Sequence, residues 1–180
     1  MSKVIMYHYI RDYDKNFPYF NFLDIKNFKK QINFFIKQKK LIDLNSDINK
    51  EYFKNRYLLT FDDGFKEHLK VGKYLNERNI MGFFFIPGMQ IIKKDFLPIH
   101  KIHLIFGKFS SIELINIFKK FEINIDFKKN IFDIFQHQKK FLNNDKKENN
   151  IKVHLKTILN NIDQNDSKIV DNIFNYCFDK

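Results

Sequence analysis

Cysteine is nearly absent from this sequence, and long apolar runs are absent altogether. The lone Cys177 excludes an internal disulfide framework and a zinc site built from cysteines. No apolar run approaches the ~18 residues that a membrane-spanning helix needs, so no transmembrane segment is predicted. The opening residues, Met1-Ser2-Lys3, lack the apolar stretch and small-residue cleavage site of a secretory signal. We therefore expect a cytoplasmic protein.

Arginine is also scarce. Only three of the 32 basic residues are arginine (Arg11, Arg56 and Arg78), although the formal net charge is +11. Arginine is the usual residue for bidentate contacts with phosphates and bases, and the lysines are spread along the chain instead of forming one block. The charge therefore favours a solvated surface, and nucleic-acid binding by a basic protein is the weaker alternative.

The chain does contain enough apolar surface for a core. Hydrophobic residues make up 44% of the 180 residues, and 23 residues are phenylalanine, so a disordered chain is excluded. This length suffices for a folded domain with a core. The pattern changes near residue 97, with alternating strands and helices before it and helices after it. We therefore expect two regions, 1–96 and 97–180.

An apolar run that ends in two carboxylates organises the first region. Tyr57–Phe61 has the aromatic, aliphatic and β-branched residues of a buried strand. Asp62 and Asp63 follow it, and Gly64 then permits a sharp turn into a helix predicted over 65–79. Ligands bind at the carboxyl ends of strands in α/β folds, and adjacent carboxylates usually share a cation or proton. An Asp-Gly turn with one aspartate capping the helix is the alternative.

Two further strands are predicted around this one. Lys3–Tyr9 is apolar enough to be buried on both faces, and Ile80–Ile86 is a third strand that stops at Pro87. Alternation of strands and helices predicts βαβ units and a parallel sheet or barrel. His8 should then lie at the same sheet edge as Asp62, although a buried core histidine is the alternative.

The remaining segments carry mostly helical signals. In the first region these are an N-cap at Asp24, a short strand over 41–44, a short helix from 46 or 47 to 54, and an apolar stripe of Ile25, Phe28, Ile32, Phe35 and Ile36. In the second region we predict a helix around 102–106 and one capped by Ser110 or Ser111 that runs to 121. Further helices are predicted over 127–142, 150–162 and 167–178, with a break over 143–150 and Ser167 as a cap.

Three stretches together resemble a known family. Thr60-Phe61-Asp62-Asp63-Gly64 resembles the first signature of the polysaccharide deacetylases, the NodB-homology family of carbohydrate esterases. Val4–Tyr9 resembles the family's opening strand, which typically ends in a Tyr-His pair, and Gly82–Gly88 resembles the strand one helix after the acidic signature. The resemblance implies an α/β fold: a partial (β/α) barrel of NodB-homology type over 1–96, then a helical insertion or C-terminal helical segment over 97–180.

The same resemblance implies a site that hydrolyses an N-acetyl group on a carbohydrate. Asp62 would be the general base and Asp63 a ligand to a divalent metal, commonly zinc, while His8 and Tyr7 would contact the substrate. The family's other two ligands form a His-x-x-x-His motif, but no two of the six histidines are four residues apart. His100 and His103 share one helix face and are the candidate replacements, with a polar pair on a helix flank as the alternative.

The family's later motifs are missing too. We therefore expect the amino-terminal part of a longer deacetylase-like protein, with ligands beyond Lys180 and little activity of its own. Exposed sheet edges predict self-association. The alternative function is a non-catalytic carbohydrate-binding remnant, in which an aromatic loop faces a sugar ring. Ordinary packing of the loop is the other interpretation of the same side chains: Phe17, Tyr19, Phe20 and Phe22.

Overall fold

The computed structural model describes residues 2–45, 53–125, 146–163 and 167–178. Internal contacts divide the chain into two compact units. The first comprises Met1–Tyr13 and Asn21–Lys94, and the second comprises Asp14–Phe20 and Asp95–Lys180. The division falls close to the expected change at 96/97. The segment 14–20, however, belongs to the second unit, because its contacts are with residues of that unit.

The first unit is built on a parallel sheet. Its described strands are β1 (Lys3–Tyr7), β2 (Ile10–Arg11), β3 (Leu23–Asp24), β4 (Tyr57–Phe61) and β5 (Gly82–Phe84). β4 is the central strand of the order β1-β4-β5, and both of its pairings are parallel. β2 and β3 form a separate parallel pair. The parallel order follows the sequence expectation, but within the described residues these strands do not close into a barrel.

Three helices of this unit are α1 (Ile25–Lys37), α2 (His68–Asn76) and α3 (Gly88–Lys93). Asp24 caps α1 as predicted, because its carboxylate accepts a hydrogen bond from the Lys26 amide at 2.7 Å. Phe28 and Ile32 are fully buried, whereas Ile36, which the sequence predicts to belong to the apolar stripe, is exposed. α2 begins three residues later than expected, because residues 65–67 form turns before the helix. One of these turns is closed by a hydrogen bond from the His68 amide to the Phe65 carbonyl.

Two strand predictions need correction. β1 is buried on one face only, since Tyr7 is 7% exposed while Val4 and Met6 are 66% and 61% exposed. The predicted strand over 80–86 keeps ladder pairing only over Gly82–Phe84. β4 ends at Phe61, whose carbonyl accepts a last hydrogen bond from the Phe85 amide at 2.8 Å. The predicted short strand over 41–44 contributes two isolated bridges, and the predicted helix start at 46 or 47 lies outside the described residues.

The described helices of the second unit are α4 (Pro98–Lys108), α5 (Ser111–Lys120), α6 (Lys146–Asp163) and α7 (Ser167–Phe178). Ser110 caps α5 in a reciprocal capping box with Glu113. A set of apolar side chains that are nearly or fully buried forms the core: Ile102, Ile105, Leu114, Phe118, Leu155, Leu159, Val170 and Ile173. The predicted helix over 127–142 lies outside the described residues. α6 begins at Lys146, so the predicted break over 143–150 is too long.

Several lysines of the second unit are engaged within it. The Lys152 ammonium lies 3.5 Å from the centre of the Tyr19 ring, and Lys120 lies 3.9 Å from that of Tyr176. Lys101 donates to Asp95 at 2.6 Å and to Asp171 at 2.8 Å. Burial alone lowers the pKa of Lys101, but the hydrogen bonds to both carboxylates outweigh it and raise the pKa overall. Part of the positive charge thus stabilises this unit. No helix among the described residues is long and apolar enough to cross a membrane.

Candidate functional site at the carboxyl edge of the parallel sheet

Parallel pairing brings the first histidine and the acidic pair to one edge. Tyr7 lies opposite Phe61 in the register of β1 and β4, and the Asp62 amide donates to the Tyr7 carbonyl at 3.0 Å. His8 and Asp62 are the next residues on their strands, so both leave the sheet at the same end. The expectation that His8 lies at the same sheet edge as Asp62 is therefore confirmed.

The turn after β4 has an unusual backbone. Asp63 has φ = 73° and Gly64 has φ = 62°, so two successive residues adopt the left-handed conformation. Glycine does so freely, and aspartate is one of the few other residues that tolerate it. This local conformation turns the chain away from the strand directly after Asp62 and leaves both carboxylates at the sheet edge.

The imidazole of His8 lies between these two carboxylates. Its Nε2 is 3.9 Å from Asp62 Oδ2 and 3.9 Å from Asp63 Oδ2. These distances suit an ion pair and are too long for a hydrogen bond. The side chains of His8, Asp62 and Asp63 are 41%, 26% and 23% exposed. The three groups form a polar cluster that solvent and a ligand can reach.

Tyr9 adds a phenol that sequence reasoning missed. Its ring stacks on Phe65 with 4.3 Å between the centroids. Burial, then the charges of Asp63 and Glu67, raise the pKa of Tyr9, while Arg11 opposes them weakly. Tyr9 therefore stays protonated at neutral pH and keeps a hydrogen-bond donor beside the acidic pair. In the sequence, the only indication that Tyr9 belongs near this cluster is its position one residue after His8.

An open cavity of about 760 Å³ lies on the exposed face of the sheet and reaches the two carboxylates. Its size is within the range of ligand pockets. Apolar side chains form most of the lining, and Thr60 and the acidic pair supply the polar groups. The lining residues are Val4, Met6, Leu58, Thr60, Asp62, Asp63, Phe85, Ile86 and Pro87.

Tyr7 does not join this cluster. Its side chain is buried on the opposite face of the sheet, where its ring stacks on Phe61 at 5.4 Å and packs edge-on against Phe28. The hydroxyl donates to Gln31 Oε1 at 3.0 Å. Alternation along β1 sends Tyr7 into the core and Met6 to the cavity. This placement corrects the prediction that Tyr7 contacts a substrate.

The candidate metal ligands belong to different units. His100 and His103 lie on α4 of the second unit, where His100 is buried, whereas Asp63 belongs to the first unit. Across the described ranges, no group of three or more His, Cys, Asp and Glu side chains is arranged to hold a metal ion. The divalent metal and the ligand set implied by the resemblance therefore stay predictions, with Asp63 as the candidate first ligand.

The aromatic loop is packed within the second unit. Phe20 is buried, and Phe17 contacts both Phe20 and Phe178 with centroid separations of 6.3 and 6.2 Å. The Tyr19 amide donates to the Gly107 carbonyl at 2.9 Å. Phe22 is half-buried. These contacts agree with ordinary packing of the loop.

Comparisons of the chain with protein-family models, curated proteins and solved structures each gave no match.

Proposed function

We propose that this chain is a polysaccharide deacetylase-like protein that hydrolyses an N-acetyl group on a carbohydrate. The observation that carries the proposal is the convergence of His8, Asp62 and Asp63 at the carboxyl edge of a parallel sheet. That convergence accompanies the resemblance of Thr60–Gly64 to the family's acidic signature.

The proposed chemistry is an attack by water on the acetyl carbonyl. Asp62 removes a proton from the water as its oxygen bonds to the carbonyl carbon. The carbon–nitrogen bond then breaks, the leaving nitrogen takes the proton that Asp62 had received, and acetic acid, which ionises to acetate in solution, and a free amino sugar result. In this proposal His8 contacts the substrate. The divalent metal expected in such a site would take Asp63 as one ligand.

An acetate-release assay tests this function. The full chain is incubated with an N-acetylglucosamine hexamer, with and without added zinc and with a chelator, and acetate and free amine are measured. Asp62→Asn should lower the rate by about 100-fold or more, since general-base catalysis contributes about 10²–10⁴-fold. Asp12→Asn, an exposed carboxyl on the loop after β2, is the matched control and should leave the rate unchanged.

Two outcomes would separate the alternatives. Without any acetate release in all metal conditions, the hydrolytic proposal fails. Binding of the hexamer without hydrolysis, unaffected by chelator, would instead support a carbohydrate-binding remnant. An affinity for nucleic acid that falls steeply with added salt would support the basic-protein alternative.

Self-association is part of the same proposal. Among the described strands, β1 and β5 are the outer strands of the three-stranded sheet. An unpaired strand edge favours pairing with another chain. A mass that rises with protein concentration in sedimentation velocity experiments would support this, and a concentration-independent monomer would contradict it.

A further inference from the structure

His68 is a buried polar residue that the proposed chemistry does not use. It is the first residue of α2 and is 5% exposed. Three aromatic rings surround its imidazole edge-on, with centroid distances of 5.7 Å to Phe61, 5.5 Å to Phe65 and 6.0 Å to Phe84. A phenylalanine would fill this space with less desolvation of polar atoms. Packing alone therefore does not explain why an imidazole occupies this position.

One ring nitrogen of His68 makes a hydrogen bond to the backbone. His68 Nε2 lies 2.7 Å from the carbonyl oxygen of His8. A carbonyl oxygen only accepts, so Nε2 carries the hydrogen and donates it. Nδ1 is buried and has no hydrogen-bond partner in the described part of the chain. A buried N–H without an acceptor is costly, so Nδ1 carries a lone pair and the ring is held in one tautomer.

The His8 carbonyl differs from the carbonyls of its two neighbours in the kind of donor that it accepts from. β1 ends at Tyr7, whose carbonyl accepts from the Asp62 amide at 3.0 Å, and the Tyr9 carbonyl accepts from the Leu23 amide at 2.8 Å. Backbone amides therefore fix the peptides immediately before and after the His8–Tyr9 peptide. The carbonyl of His8 itself is held by the side chain of His68.

We infer that His68 is a positioning residue for the candidate site. By fixing the His8 peptide as the chain leaves β1, it keeps the His8 imidazole 3.9 Å from both carboxylates. This role rests on the proposed function, because it concerns the same cluster. Misplacing a reacting group by about 1 Å can lower a rate by about 100-fold.

Two substitutions separate the hydrogen bond from the ring. His68→Phe keeps the aromatic packing and removes the donor, whereas His68→Gln keeps a donor at similar reach and removes the ring. With the N-acetylglucosamine hexamer, His68→Phe should lower kcat/KM by about 10–100-fold, and part of this loss should appear in KM because His8 contacts the substrate. His68→Gln should recover most of that loss. Leu69→Gln, an exposed neighbour on α2, is the control.

An NMR measurement tests the positioning without relying on activity. In protein with ¹⁵N-labelled histidine, His68 should give a slowly exchanging Nε2–H resonance. Asp62→Asn should shift the ring resonances of His8 in the otherwise wild-type chain, and this response should be lost or reduced in His68→Phe.

The outcomes are distinct for the two claims. If wild-type protein releases no acetate but shows both NMR features, the proposed function fails and the positioning role stands. If the Nε2–H resonance is absent, or if folded His68→Phe retains full kcat/KM and the His8 response, the positioning role is overturned. Should His68→Phe fail to fold, the wild-type resonance and His68→Gln still decide the matter.

Discussion

Replacement of Gly64 by alanine tests the backbone of the acidic turn. Gly64 has φ = 62°, and a left-handed conformation costs an L-residue about 1–2 kcal/mol. A Cβ at this position would also lie 2.9 Å from Ile86 Cγ2 and 3.3 Å from Ile86 Cβ. Ile86 is exposed, so it can shift at modest cost. We expect Gly64→Ala to lower the free energy of unfolding by about 2–3 kcal/mol in total, of which about 1 kcal/mol is the displacement of Ile86.

The assay is urea unfolding followed by circular dichroism at equilibrium. Gly88→Ala is the matched control, because a Cβ at Gly88 meets nothing within 4 Å and Gly88 is the first residue of α3. It should be neutral or stabilising by up to about 1 kcal/mol. In an Ile86→Ala background, the cost of Gly64→Ala should fall to the conformational part, about 1–2 kcal/mol.

A specific result would refute this reasoning. If Gly64→Ala were as stable as Gly88→Ala, the turn would not require a left-handed residue at this position. If the cost were the same with and without Ile86→Ala, the close approach of Ile86 would contribute nothing.

Two other predictions concern packing and ionisation. A Cβ at Gly107 would lie 2.5 Å from Phe20 Cδ2, so Gly107→Ala should destabilise the second unit by about 1–3 kcal/mol, although alanine favours helix. Thermal unfolding measures this, and Phe20→Leu should relieve it; an unchanged midpoint would contradict packing of the loop against α4. Burial raises the pKa of Tyr7 to about 12, while an unfolded tyrosine titrates near ~10. Between these values the unfolded state loses its proton first, so stability falls as the pH rises from about 10 to 12. Tyr7→Phe should reduce this slope in urea titrations, whereas Tyr13→Phe, at an exposed position, should keep it.

Local signals in the sequence predicted several elements closely. The strand Tyr57–Phe61 and the capping role of Asp24 agree with the structure. A strand of strongly apolar residues bounded by an Asp-Asp-Gly turn, and a cap followed by a periodic apolar stripe, depend on residues that are neighbours in the chain. The parallel order of β1, β4 and β5 also follows from alternation of strands and helices.

Boundaries and faces were predicted less well. The strand signal of Lys3–Tyr9 gave no indication that Tyr7 enters the core while Val4 and Met6 stay exposed. A uniformly apolar strand has no alternation from which its buried face can be read. The assignment of 14–20 to the second unit was missed for a related reason, because the contact of Phe20 with Gly107 joins residues far apart in the chain.

Some features of the candidate site could be predicted from the sequence, and others depend on the tertiary structure. The sequence by itself determined the acidic pair, the turn at Gly64 and the expectation that His8 shares their sheet edge, because strand direction and turn chemistry are encoded locally. Only the tertiary structure placed Tyr7 in the core, Tyr9 beside Asp63 and the imidazole of His68 on the carbonyl of His8. That last hydrogen bond joins a side chain to a backbone atom sixty residues away. Because every residue has such a carbonyl, no residue type marks the partner, and only the folded chain selects it.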